Sequence, residues 1–193
     1  MRRVRSLTIG TLLVLCVVLV GWAAGTLIRH LRVHATRVAR QSQINGYLKR
    51  NLQGIAEGQL FPDVMVRSVT TGKLAWVHAL LPEGGVVLFV APECGACAES
   101  VRDFQRALDR LGTEAKPAVL VTGALSDSLL VRIKDQRVRI PIYADIRETL
   151  RDDFHVTLSP VYFCLDADGR ILRLGVTSGP EEYMSILKPM TSE

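Results

Sequence analysis

Residues 86 to 111 constrain this chain more than any other stretch. Val86-Val87-Leu88-Phe89-Val90-Ala91 is apolar without alternation, which suits a central strand covered on both faces. Pro92 ends the run, and Cys94-Gly95-Ala96-Cys97 follows at once. Beyond Cys97 the chain turns amphipathic at helical spacing, with Val101, Phe104, Leu108 and Leu111 on one side and Arg102, Gln105, Arg106 and Asp109 on others. Cys94 therefore falls at the mouth of a helix N-terminus, where unpaired backbone N–H groups and the helix dipole favour thiolate over thiol. The thiolate is the reactive form. Cys97, one turn further in on the same face, is placed to attack a mixed disulfide held on Cys94 and release the product.

A Cys-x-x-Cys pair also suits half of a zinc site or an inert structural disulfide. Zinc needs a second ligand pair. The remaining cysteines, Cys16 and Cys164, do not supply one, and His30, His34, His78 and His155 form no pair at ligand spacing. A strand running straight into the pair and a helix running out of it favour redox activity. That activity needs no bound cofactor and no metal.

The 193 residues suffice for one ordinary domain and an appendage. A net charge of +5 raises the question of nucleic acid, but Arg and Lys are scattered and no basic, aromatic-interleaved patch exists, so no nucleic-acid partner is expected. Four cysteines in this length do not make a disulfide-stapled scaffold.

From Leu7 to Ile28 the chain runs 22 residues without a charge, enough to span a bilayer. Trp22 lies near the far end, and Arg29 and Arg32 follow directly. A cleaved signal peptide with small residues at Ala23-Ala24-Gly25 competes with this reading. Length and the flanking arginines favour an uncleaved anchor, residues 1–28. Arg2, Arg3 and Arg5 argue for the N-terminus inside, while Arg29, Arg32, Arg37 and Arg40 pull the other way. The C-terminal domain is placed outside because disulfides persist there. Residues 29–57 read as a helical stalk, with Leu31, Val33, Val38, Ile44, Leu48, Leu52 and Ile55 among Arg, Gln and Asn.

A globular domain is expected over residues 58–193. Val64, Val66 and Val69 open a strand, Thr71-Gly72 turns it, and Leu74 to Leu80 returns. After the Cys-x-x-Cys helix, Gly112 closes that helix and Ala118 to Thr122 is a second buried strand. Ser126 caps a helix to about Gln136, Ile140 to Tyr143 is a short strand, and Arg147 to Phe154 a short helix. Val161 to Leu165 and Ile171 to Val176 flank the turn at Asp168-Gly169, and Pro180 starts a last helix through Leu187. The result is α/β: an N-terminal β-hairpin, then a mixed central sheet flanked by helices. Ser159-Pro160 stands just before a strand, where proline cannot donate to the ladder.

Four blocks carry a resemblance. They are Phe61-Pro62-Asp63, Thr71-Gly72-Lys73, Cys94-Gly95-Ala96-Cys97, and the run from Ser159-Pro160 through Val161-Tyr162-Phe163-Cys164-Leu165 to Asp166-Ala167-Asp168-Gly169-Arg170. Over about two thirds of the chain, these blocks resemble the membrane-anchored, thioredoxin-like proteins of the TlpA/ResA/MauD (redoxin) group. The resemblance implies a thioredoxin-like fold and thiol–disulfide exchange through a redox-active Cys94–Cys97 disulfide. It implies a single-pass protein of a bacterial cytoplasmic membrane with its domain facing the periplasm. Its partners would be cysteine-containing protein substrates and a redox partner protein, in cytochrome or periplasmic enzyme maturation. It also makes Pro160 the cis-proline facing the sulfurs, with the Ser159 backbone pairing with an incoming substrate.

Several positions depart from the group. Glu93 stands where a Trp is usual, and Ala96 where a Pro is frequent. Ser100, with Glu99 beside it, holds a place where some relatives carry a carboxylate. Leu88 occupies the strand where thioredoxins keep a buried Asp. Cys164 reads as an inert core thiol. Two other readings stay open: a copper-binding module completed by His155 or Met65, and a non-catalytic, disulfide-locked assembly factor. A Sco-like copper protein would use Cys-x-x-x-Cys, and a peroxiredoxin would place Thr where Ala91 stands.

Overall fold

The computed structural model describes residues 19–33, 35–36, 39, 42–44, 46–48, 52, 55–91, 93–123, 131, 138–176 and 179–188. The chain forms two compact units, Met1–Asn45 and Gly46–Glu193. In the first, residues 19–33 are helical. Among the described residues no helix is long and apolar enough to cross a membrane. Residues 7–18 of the uncharged span lie outside the described residues.

The second unit is built on one seven-stranded sheet. Its strands are β1 (Met65–Ser68), β2 (Leu74–Trp76), β3 (Gly85–Val90), β4 (Ala118–Thr122), β5 (Ile142–Asp145), β6 (Val161–Leu165) and β7 (Ile171–Gly175), in the order β2-β1-β5-β4-β3-β6-β7. β3 pairs parallel with β4 and antiparallel with β6, so the sheet is mixed. All six residues of β3 are buried, as an unbroken apolar run requires of a strand covered on both faces. β1 pairs antiparallel with β2 and with β5.

The helices are α1 (Val77–Leu80), α2 (Cys97–Leu111), α3 (Thr149–Asp152) and α4 (Pro180–Leu187). On α2, Cys97, Val101, Phe104 and Ala107 form the buried stripe, four or three residues apart. Leu108 and Leu111, expected on that stripe, flank it half-buried. Phe104 meets Tyr183 of α4 edge to face, with ring centroids 5.1 Å apart. Those two helices cover the face of β3 that carries Val86, Leu88 and Val90. Gly112 closes α2 at φ 55°, a backbone region glycine enters without steric cost.

Two expected elements differ. The returning strand, which the sequence pattern extends to Leu80, stops at Trp76, and α1 follows. The burial pattern explains the change. Val77 and Leu81 are buried while Ala79 is exposed, the spacing of a helical turn; a strand would bury Ala79 with them. The fifth strand begins at Ile142, after Pro141, and ends in the buried Asp145. The helix expected over 126–136 lies outside the described residues, apart from Val131.

Within the second unit the stalk residues Leu48, Leu52 and Ile55 are buried. The chain then runs along β7: the Gly58 N–H donates to the Ile171 carbonyl, and the Ile171 N–H to that of Gln59.

Candidate functional site

The β3–β6 pairing assembles the site. Its register places Phe89 opposite Val161. Just past that pair, Ala91 at the exit of β3 meets Ser159 before β6, its N–H donating to the serine hydroxyl. The loop leaving β3 toward Cys94 and the loop entering β6 thus converge at one end of the central strands.

Cys94 and Cys97 form a disulfide with Cα atoms 5.4 Å apart. A turn precedes the helix: the Cys94 N–H donates to the Ala91 carbonyl, and the Cys97 N–H to the Cys94 carbonyl at 3.3 Å. Cys97 is the first residue of α2. Both sulfurs are therefore at the positive end of that helix, where negative charge on sulfur is favoured. The two are not equivalent. Cys94 is half-buried, whereas Cys97 is 0% exposed. An incoming thiolate can reach the first sulfur and not the second. Pro92 lies outside the described residues.

The Ser159-Pro160 bond is cis. The Ser159 carbonyl oxygen lies 3.6 Å from Cys94 Sγ. With both sulfurs in the disulfide this is a contact; a reduced Cys94 thiol would donate across it. The Ser159 side chain reaches the other sulfur, with Oγ 2.8 Å from Cys97 Sγ. The same oxygen accepts from the Ala91 N–H at 2.6 Å. The structure thus brings together all four residues expected at the site: Cys94, Cys97, Ser159 and Pro160. Sequence reasoning gave Ser159 only a main-chain role and missed its hydroxyl. The available signal was a hydroxyl residue directly before the proline.

The other named residues fall around this centre. Glu93 and Glu99 are exposed. Leu88 is fully buried in the same cluster as Cys97, so an apolar side chain occupies that place. Cys164 is buried, its Sγ 4.0 Å from the Ile186 carbonyl, and burial pushes its thiol up to about 11. That thiol stays protonated and unreactive at neutral pH. Met65 of the copper reading sits on β1, three strand spacings or roughly 14 Å across the sheet from β3. Among the described residues, no three His, Cys, Asp or Glu side chains cluster as metal ligands would.

No protein-family model matches the chain, and no curated protein matches it. Solved structures do. A thiol:disulfide interchange protein from Bacteroides sp. is 13% identical with a TM-score of 0.57, covering 69% of this chain and 90% of its own. A putative thiol:disulfide interchange protein DsbE from Chlorobium tepidum is 16% identical with a TM-score of 0.58, covering 69% and 94%. A secreted Mycobacterium tuberculosis disulfide oxidoreductase, homologous to E. coli DsbE, is 12% identical with a TM-score of 0.53, covering 64% of this chain and 93% of its own. The sheet, its helices and these likenesses define the domain as thioredoxin-like in fold.

Proposed function

We propose that this chain is a thiol–disulfide oxidoreductase that exchanges disulfides with cysteine-containing proteins through Cys94 and Cys97. The observation that carries the reading is the asymmetric pair. A reachable sulfur and a fully buried one are joined at the N-terminus of α2, opposite the Ser159-Pro160 loop. A substrate thiolate attacks Cys94 Sγ in line with the disulfide. A bond forms between substrate sulfur and Cys94, the Cys94–Cys97 bond breaks, and its electron pair leaves on Cys97. A second substrate thiolate then attacks the substrate sulfur and expels Cys94 as thiolate. The substrate gains a disulfide and the protein becomes a dithiol, a two-electron exchange. Read backwards, the same steps reduce a substrate disulfide, with Cys97 resolving the mixed disulfide. The Ser159 backbone, beside Cys94, would pair with the substrate chain as an added strand.

The uncharged run from Leu7 to Ile28 supports a membrane tether, with the stalk shortened to the residues before Gly46, because Leu48, Leu52 and Ile55 are buried in the second unit, and with the domain outside a bacterial cytoplasmic membrane. There the partners would be periplasmic or cytochrome proteins under maturation and a redox protein that resets the pair.

Turnover of insulin or of a scrambled disulfide substrate tests the reaction. Cys94→Ser is expected to abolish it, and unchanged turnover in that variant rejects the proposal. The reduction potential of the pair then assigns direction: about −270 mV marks a thioredoxin-like reductant and about −120 mV a DsbA-like oxidant.

A further inference from the structure

In the exchange proposed above, Cys97 must carry negative charge in a place that water does not reach. Its side chain is 0% exposed and packs in a cluster with Leu88, Val90, Val101 and Phe104. A thiolate in apolar surroundings is disfavoured unless something donates to it. Glu93 and Glu99, the acidic residues nearest in sequence, are exposed and are not part of that cluster. Among the described residues, the side-chain hydroxyl at hydrogen-bonding distance from Cys97 Sγ is that of Ser159, at 2.8 Å.

The direction of that hydrogen bond follows from the chemistry. Neither sulfur of a disulfide bears a hydrogen, so Ser159 must be the donor. A serine hydroxyl has one hydrogen and two acceptor lone pairs. The Ala91 N–H occupies a lone pair at 2.6 Å, which anchors the oxygen and leaves its hydrogen free for the sulfur. Both groups come from the register of β3 against β6, so the donor is set before any sulfur ionises.

We infer that the Ser159 hydroxyl is a catalytic donor that holds the negative charge of Cys97 each time this buried sulfur leaves or attacks. The inference rests on the exchange reaction proposed above and adds a residue to it. When substrate thiolate bonds to Cys94, the electron pair of the broken disulfide settles on Cys97 Sγ, and the hydroxyl donates to it without giving up its proton. In the reverse step that pair re-forms the Cys94–Cys97 bond and the substrate thiolate departs. A hydrogen bond to a charged atom is stronger than one to the neutral disulfide sulfur, so the donor acts mainly on the charged state.

The test is the reduction of the oxidised full-length chain by dithiothreitol, read by rapid quench and thiol labelling. Ser159→Ala is expected to slow the step about tenfold to a hundredfold. Ser159→Thr, which keeps the hydroxyl, is expected to restore most of the rate. If alanine unfolds the protein, Ser159→Val against Ser159→Thr makes the same comparison in a side chain of matched shape. A second readout needs no turnover. In a Cys94→Ala background, the ultraviolet thiolate band of Cys97 is titrated with and without the hydroxyl, and loss of the hydroxyl is expected to raise the titration midpoint by about one unit or more. Equal midpoints with and without the hydroxyl overturn the inference, as does a dithiothreitol rate that the hydroxyl does not change. A wild-type disulfide that no thiol reduces overturns the exchange reaction instead, and the titration still decides whether Ser159 donates.

Discussion

Tyr162 and Gly175 stand directly opposite each other across the β6–β7 pair, and the tyrosine ring fills the space that a side chain at position 175 would need. A Cβ there would lie 2.8 Å from the tyrosine hydroxyl oxygen and 3.0 Å from two ring carbons. The ring has nowhere to retreat, because Tyr162 is 0% exposed and belongs to the cluster beneath α2. Gly175→Ala is therefore expected to destabilise the domain by about 1–3 kcal/mol through overpacking. Urea unfolding followed by circular dichroism measures it, and an unchanged midpoint would show that the sheet yields at no cost.

Asp145 makes a second stability prediction. Its carboxylate is fully buried at the end of β5, where it accepts from the Leu150 N–H at 2.9 Å and the Arg147 N–H at 3.3 Å. These bonds satisfy the entry to α3, a helix of four residues that has no other side-chain cap. Asp145→Ala leaves buried donors without a partner and is expected to cost about 1–3 kcal/mol. Asp145→Asn, which keeps an acceptor oxygen of the same reach, is expected to cost less. The same unfolding experiment separates the two.

Alkaline pH should weaken the domain in a defined window. Burial pushes the Cys164 thiol up from 9.0 to about 11, against the smaller pull of Lys116 and Arg173. Burial likewise pushes the Tyr162 phenol up from 10.0 to about 12, with Arg173 opposing. Both folded-state values exceed the unfolded ones, so the folded state holds these protons more tightly. The resulting stability is fully present below the ordinary values and is lost as pH rises through the folded ones. Unfolding midpoints are expected to start falling near pH 9 and to keep falling toward pH 12. Cys164→Ala should remove the part of the decline that begins at the lower end.

Much of this fold was legible because its strongest signals are local. An unbroken apolar run gave β3, and apolar residues three and four apart gave α2. Pro180 marked the start of α4. The less legible parts depend on tertiary contacts. Whether Val77–Leu80 continued as strand was decided by which of its residues found the core. Residues 142–145 carry a charged side chain at the strand end, and only the backbone of α3 explains why it is buried. At the site, the cysteines and the proline were visible as motifs. The hydroxyl between Ala91 and Cys97 was not, because residues 68 and 62 positions apart in sequence meet there through strand register alone.

The central claim is a division of labour between an accessible sulfur at 94 and a buried one at 97, and mixed-disulfide trapping tests it most directly. The single-cysteine-site variants Cys97→Ala and Cys94→Ala are each incubated with a peptide activated as its thionitrobenzoate disulfide, and the adducts are mapped by mass spectrometry. The account predicts a rapid, stable adduct on Cys94 in the first variant and little or none on Cys97 in the second. Equal labelling of both sulfurs, or an adduct that forms on Cys97 and not on Cys94, would contradict it.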